Sequence, residues 1–335
     1  ILSGLLPPDW SLPWNVTKKG VPYLCLETLA MAVAGTAMGA AVSVPIAMLG
    51  SRNISGPRWA GLWKLLLLAL RTLPAIVTGL LLGMNLPCNF PVWMVLIGAL
   101  VAIGIGQMTF GGLGCNPFNP AIVGRCFLLV SFPAAMTSWP VAGQQMAYTD
   151  AVTGATPLSL MKTAIKTGDV SVLQGLPDTV DMLLGNVANG YGAGTIGEVC
   201  ALALIAGLIW MLWRRVITWH IPVIILATVF VLSGALHAVN PVYAHPMAVV
   251  LSGGLMLGAI FMATDYATSP INSKGQILYG IILGLLTALF RVVGSSAEGV
   301  SYAIIIGNLF VPIIEKITLP KPFGSHSRKG GESNG

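Results

Sequence analysis

Charge is scarce in this chain. Asp, Glu, Lys and Arg make up only 8% of its 335 residues, against about 25% in a soluble domain. That is too little to coat a water-facing surface, and it excludes a typical cytosolic enzyme, a disordered chain and a secreted disulfide module. Cysteine is sparse as well. Cys25, Cys88, Cys115, Cys126 and Cys200 lie in or beside apolar runs with no Cys-x-x-Cys pair, so no metal or cluster site is expected from this chain alone. His220, His237, His245 and His326 are scattered, without an i, i+4 pair. The sequence has no P-loop, no dinucleotide-binding glycine fingerprint and no Ser-His-Asp constellation. No cleavable signal peptide is expected either.

What the chain has in abundance is apolar sequence: 55% of residues, with a mean hydropathy of +0.83. The runs are long enough for membrane helices rather than barrel strands, which makes this an all-α polytopic membrane protein. Nine runs stand out, at 22–49, 61–84, 92–108, 119–136, 196–213, 220–237, 246–264, 276–291 and 299–315. Each is close to the roughly 20 residues that cross about 30 Å of hydrocarbon. The net charge of +6 comes from dispersed Lys and Arg. It reports topology, not nucleic-acid binding. With the basic tail inside, Arg214, Arg215, Lys274, Arg52 and Arg58 fall in inside loops, and Trp213 and Trp219 flank the arginine pair as an aromatic belt does. The long stretch 137–195 then falls outside, with four of the eleven acids (Asp150, Asp169, Asp178 and Asp181). That stretch holds only Lys162 and Lys166 as basic residues, and at the N-terminus Lys18 and Lys19 fall on the wrong side for this orientation.

Two segments share a character. Phe110-Gly-Gly-Leu-Gly-Cys-Asn-Pro-Phe-Asn-Pro120 follows one apolar run, and Asp265-Tyr-Ala-Thr-Ser-Pro-Ile-Asn-Ser-Lys-Gly275 follows another. Gly/Pro-interrupted segments at matching places in two halves point to an inverted-repeat site, with Asn116, Asn119 and Asp265 at its centre. Irregular backbone at membrane depth survives only beside protein or a polar cavity; ordinary interfacial loops are the alternative. Ionisable residues in spans are functional candidates by default. Asp265 would attract a cation or shape a cofactor pocket, or else cap the following turn. Arg125, just past the first break, would pair with a phosphate or an anionic cofactor, or else serve backbone carbonyls. Arg291 and Glu298 read as a solvated pair at an outside turn, and Glu198 as a carboxylate favoured by a helix N-terminus.

The outside stretch contains Asp150-Ala-Val-Thr-Gly-Ala-Thr156. Its last threonine offers a hydroxyl that a phosphoryl group can esterify. Gly154 and Ala155 leave room for a bulky donor, and Asp150 would position the hydroxyl or a metal. Read by its residues alone, the segment is only a short polar turn.

The pattern Asp-x-x-Thr-Gly-Ala-Thr resembles the flavinylation motif read by ApbE-type flavin transferases, which attach FMN by a phosphoester to the last threonine. Around it, Ala75–Pro87, Phe110–Pro120, Ala121–Pro133, Arg214–Pro222, Leu251–Asp265 and Glu298–Ala303 resemble, in order, the D subunit of Rnf electron-transport complexes. They resemble the B subunit of the sodium-pumping NADH:quinone reductase more loosely. The resemblance covers about 75–324. It implies two inverted five-helix repeats, urea-transporter-like, with about 9–10 transmembrane helices. It also implies a membrane subunit of an ion-translocating ferredoxin:NAD oxidoreductase, relaying electrons and coupling them to Na⁺ or H⁺ transport. NAD and ferredoxin would bind other subunits (A, B, C, E and G). Thr156 would carry covalent FMN, with Asp150, Thr153, Gly154 and Ala155 as recognition sequence. Arg125, Asn116 and Asn119 would line a cofactor site, for instance of a non-covalent riboflavin, and Asp265 would stand on the ion pathway. The expected location is a bacterial or archaeal cytoplasmic membrane, with the flavin segment outside, the C-terminus inside, membrane lipid around the helices and no nucleic-acid partner.

The implied organisation is an atypical N-terminal segment 1–74, the rest of a first repeat at 75–136, a flavinylation loop at 137–195, a second repeat at 196–318 and a basic tail at 319–335. Residues 1–74 depart from the family. Glu27–Thr36, Gly39–Asn53 and Leu70–Pro74 resemble a phosphonate-type ABC transporter permease, and a change of family within one apolar run suggests a fusion or a sequence error. A permease for phosphonate-like oxyanions is therefore the alternative function. It leaves the Asp150–Thr156 motif without a purpose, and the permease coupling loop is missing. A pore built on the repeats would fit the fold but not the motif.

Overall fold

The computed structural model of the chain describes residues 74–112, 114–139, 154–185, 194–294 and 299–319. The permease-like stretch (to residue 73), Asp150, Thr153, Glu298 and the basic tail from residue 320 lie outside the described residues. What is described is helical, with a single isolated β-bridge between Pro87 and Thr195.

In chain order, α1 is Pro74–Met84, α2 is Val92–Leu100 and α3 is Pro120–Ser131. A short α4, Pro133–Met136, follows where Pro133 ends α3. Then come α5 at Pro157–Thr167, α6 at Thr179–Leu184, α7 at Ala201–Trp213 and α8 at His220–Val239. The last four are α9 at Pro246–Leu251, α10 at Leu255–Leu257, α11 at Ser273–Val292 and α12 at Val300–Thr318. Among them α8, α11 and α12 are long and apolar enough to cross a membrane; α1, α2 with its extension, α3 and α7 are shorter and apolar.

The expected spans at 220–237, 276–291 and 299–315 thus appear as single helices. Those at 92–108, 119–136, 196–213 and 246–264 are interrupted, while 22–49 and most of 61–84 lie outside the described residues. α2 continues as a π-helix over Val101–Met108, and the run 246–264 is split. There α9 stops at Ser252, α10 restarts after Gly254, and a π-helix follows at Gly258–Met262. π segments inside helices are rare and concentrate at functional places. Here both sit immediately before the two polar breaks. Each break then ends on an asparagine that begins the next helix, Asn119 for α3 and Asn272 for α11. This parallel construction is the structural counterpart of the sequence likeness between the breaks.

The core lies between α8, α11, α12, α3 and the two π segments, built on Leu82, Ile122, Leu128, Leu255, Ile260, Met262, Tyr279, Leu283 and Ile304. Between helices in lipid, small residues permit the close approach that dispersion needs. Gly280 and Gly284 provide it on α11. A methyl group at Gly284 would lie 2.5 Å from Thr228 Cβ, and one at Gly280 would lie 3.0 Å from Ile224 Cγ2.

The stretch 137–195, read from sequence as a loop, contains regular structure. Pro157 occupies the first position of α5 and Gly168 ends it with φ +72. Gly185 ends α6 in the same way with φ +76. Proline at the start and left-handed glycine just past the end are the usual punctuation of a helix.

Candidate functional site

Thr156 stands immediately before α5 in an extended conformation, and its Oγ1 accepts the Ser159 N–H at 3.2 Å. Ser159 Oγ returns a bond to the Thr156 carbonyl at 2.7 Å. Gly154 N–H donates to the Trp139 carbonyl at 2.9 Å, tying the motif to the end of the preceding segment. Thr156 is half-buried and Ala155 exposed. Among the described residues the capping hydroxyl acts as an acceptor, and its own proton is not used to hold α5. A phosphoester on this oxygen would lie at the positive end of an eleven-residue helix, a favourable place for its charge. The residues therefore fit the group that the motif implies.

α5 is mounted on the helical body through one face. Leu158, Met161 and Lys162 are buried. Lys162 Nζ donates to the Gly294 carbonyl just past α11, and Met161 Sδ accepts from Ser252 Oγ at 3.8 Å. Desolvation holds the Lys162 ammonium below the usual lysine range, and Lys166 adds to this. Arg291 corrects the reading from sequence. It is no solvated residue but is 7% exposed, and its guanidinium donates to the carbonyls of Val249 and, at 2.8 Å, Ser252. It serves the carbonyls at the C-terminus of α9, where Val249 O also accepts from Ser252 Oγ at 3.3 Å.

The two polar breaks meet. Asn119 Nδ2 donates to the Met262 carbonyl at 3.0 Å, at the end of the second π segment, while its Oδ1 caps α3 through Ala121 N at 3.0 Å. Asn116 donates to Phe118 O at 2.9 Å and also hydrogen-bonds Asp265. Asp265 Oδ2 accepts from Thr268 Oγ1 at 3.2 Å. Among the described residues its hydrogen-bond partners are neutral: Thr268, Asn116 and the Ala267 N–H. Asn308 of α12 stitches the junction. Its amide is 2.7 Å from Tyr279 Oη, and with that amide oriented so that donors meet acceptors, its nitrogen reaches Thr268 O at 3.3 Å and its oxygen accepts Asn119 N–H at 3.2 Å. Asn116, Asn119, Thr268, Tyr279 and Asn308 are each at most 5% exposed. Asn116, Asn119 and Asp265, chosen from sequence, are thus brought together. Tyr279 and Asn308 were missed, because nothing local in an apolar run marks a side chain that answers a break some 190 residues away.

Arg125 lies 3% exposed on α3. Its Nη1 donates to Asn85 Oδ1 at 2.7 Å, and Asn85 Nδ2 donates to Leu81 O at 2.6 Å. Gly254 approaches from the other side: a methyl group there would lie 3.3 Å from both Arg125 Nη1 and Glu198 Oε2. Glu198 Oε1 accepts the Thr195 N–H at 3.0 Å, as a helix-start carboxylate does. Thr156 belongs to a separate locus on α5, not to this junction.

The family model described as NQR2, RnfD, RnfE matches residues 26–324. The match takes in much of the stretch that resembles a permease. The D subunit of the Na⁺-translocating ferredoxin:NAD⁺ oxidoreductase complex of Acetobacterium woodii is 44% identical over 250 residues, covering 75% of this chain and 72% of that protein. The D subunit of the proton-translocating complex of Clostridium ljungdahlii is 40% identical over 258 residues, covering 75% and 74%. The D subunit of the ion-translocating oxidoreductase complex of Alcanivorax borkumensis is 34% identical over 275 residues, covering 78% of each.

Proposed function

Because the chain belongs to the NQR2, RnfD, RnfE family, we propose that it is the D-type membrane subunit of an ion-translocating ferredoxin:NAD oxidoreductase complex, with FMN esterified to Thr156. The other subunits of that complex hold the NAD and ferredoxin sites, and an ApbE-type transferase installs the flavin from the outer side of the membrane. The flavin, once bound, supplies the one- and two-electron chemistry. The chain supplies placement and electrostatics.

The observation that carries this reading is the position of Thr156: a full motif match whose final hydroxyl caps α5 as an acceptor. Esterification removes a proton that the cap does not use. The phosphodiester charge gains the helix N-terminus, and Asp150, Thr153, Gly154 and Ala155 are what the transferase reads. The two-break junction is assigned to the interior of the paired repeats. Asp265, its one carboxylate among the described residues, sits among neutral donors and takes up the transported cation. Arg125, Asn116 and Asn119 border the space assigned to a second, non-covalent flavin such as riboflavin.

The test is in-gel fluorescence of the denatured chain, wild type beside Thr156→Val, each expressed with a flavin transferase. A band in the wild type that vanishes in the variant is expected; no band in either removes the flavin reading. For Asp265, the Asn variant in the assembled complex should keep its flavin and lose ion uptake. Unchanged coupled transport removes the ion role.

A further inference from the structure

The helix break at Ser252–Gly254 touches α5 on one side and Arg125 with Glu198 on the other. On the α5 side, Ser252 Oγ contacts Met161 Sδ. Gly253 adopts φ +68, and a methyl group there would lie 2.8 Å from Leu158 Cδ2 and 3.1 Å from Arg291 Nη2. On the other side, Gly254 is wedged between Arg125 Nη1 and Glu198 Oε2. From Arg125 the contacts continue through Asn85 to Met262 Sδ at 3.4 Å, and from the Met262 carbonyl to Asn119. A continuous set of packed groups therefore runs from the helix that begins at Thr156 to the junction that holds Asp265. Within this set the run 246–264 leaves regular helix at Ser252–Gly254, between the Ser252 N–H bond to Ala248 O and the Gly258 N–H bond to Gly254 O, so torsions at Gly253 can change while both of these i to i−4 bonds are kept. Breaks of this kind are where closing and rocking motions are absorbed.

We propose that Ser252–Gly254 is a hinge through which the seating of α5 sets the spacing of Arg125 and Glu198, and so couples the flavin-bearing helix to the cation junction. The proposal rests on the reading of Thr156 as the flavin site. A coupling claim needs an element whose state both ends bias. The hinge meets this, since α5 holds it at Ser252 and Gly253 while the two charged side chains hold it at Gly254. Gly254 itself has φ −61, outside the left-handed region that favours glycine, so space and not a positive φ is what a side chain there would contend with.

That makes Gly254→Ala a clean wedge. In proteoliposomes of the whole complex, the variant should keep its fluorescent flavin band and at least about half of ferredoxin-dependent NAD reduction. Ion uptake per NADH formed should fall at least about fivefold. Unchanged uptake per NADH overturns the hinge, and so does a proportional loss of both activities with flavin attached, which would make the break purely structural. If Gly254→Ala fails to assemble, Leu158→Ala loosens the same link from α5 and must give the same split. A second readout is hydrogen exchange of peptides spanning 249–257 in the wild type. Exchange should differ at least about twofold between oxidised and dithionite-reduced complex, and the difference should vanish in Thr156→Val. No difference in a wild type that carries flavin overturns the hinge. A wild type without flavin instead defeats the Thr156 reading, and the Gly254→Ala coupling ratio then decides the hinge alone.

Discussion

Substitutions at Thr156 can separate its chemical role from its structural one, because the two use different parts of the same hydroxyl. Capping uses an oxygen lone pair, accepting Ser159 N–H at 3.2 Å; esterification uses the O–H bond. Serine keeps both, asparagine keeps only the capping acceptor, and valine keeps neither. Asparagine and serine are at least as good as threonine at this helix position, whereas losing the cap costs about 1 kcal/mol. In a chain of this size that corresponds to about 1–2 °C in melting temperature. Thr156→Ser should therefore melt with the wild type and retain some covalent flavin. Thr156→Asn should melt with the wild type and carry none, and Thr156→Val should lose both. The assays are in-gel flavin fluorescence and thermal melting followed by fluorescence-detected size exclusion, with melting compared on chains expressed without the transferase. Covalent flavin on the Asn variant would refute attachment at this oxygen. Equal destabilisation of the Asn and Val variants would refute the cap.

The seam between α8 and α11 gives a second expectation. Gly284→Ala places a methyl group 2.5 Å from Thr228 Cβ, an overpacking that typically costs about 1–3 kcal/mol. Adding Thr228→Gly should recover most of the loss, and Gly175→Ala, with open space around it, serves as a control; equal melting of Gly284→Ala and the control would show that the seam is not close-packed. Lys162 gives a pH dependence. Its folded pKa lies below the ordinary 10.5, first through desolvation, so the unfolded chain holds the proton longer as pH rises. The penalty for seating Lys162 is present below its folded pKa and gone above 10.5. Thermal melts of wild type and Lys162→Met between pH 8 and 11 should show the wild type gaining on the variant as pH approaches 10.5, and parallel curves would contradict the burial of the ammonium.

Much of the candidate site was legible because breaks announce themselves. Gly, Pro and Asn cannot extend an apolar helix, so the segments at 110–120 and 265–275 stood out, and the structure joins them through Asn116, Asn119 and Asp265. The Ser252-Gly-Gly254 break carried the same signal inside a run long enough to span. Hydropathy averaged over that run concealed it. Arg291 was misread for a related reason: a cation near the end of an apolar helix with a glutamate across the turn reads as a solvated pair, and only the fold shows that the carbonyls of α9 end beside it. Within 137–195, Pro157, Gly168 and Gly185 were adequate helix punctuation, outweighed by the polar composition between them. Asn85, Tyr279 and Asn308 had no local signature at all, since each answers a group far away in the chain.

Asn308 also constrains how the protein is made. The Asn119 N–H is satisfied by a residue 189 positions later, which leaves the ribosome roughly 10–40 s afterwards at 5–20 residues per second. Throughout that interval the first break must be kept wet, or sheltered by the insertion machinery, because lipid offers it no acceptor. The final helix is thus the one that dries the junction, and a nascent chain truncated before α12 should be retained at the insertion site rather than released into the bilayer.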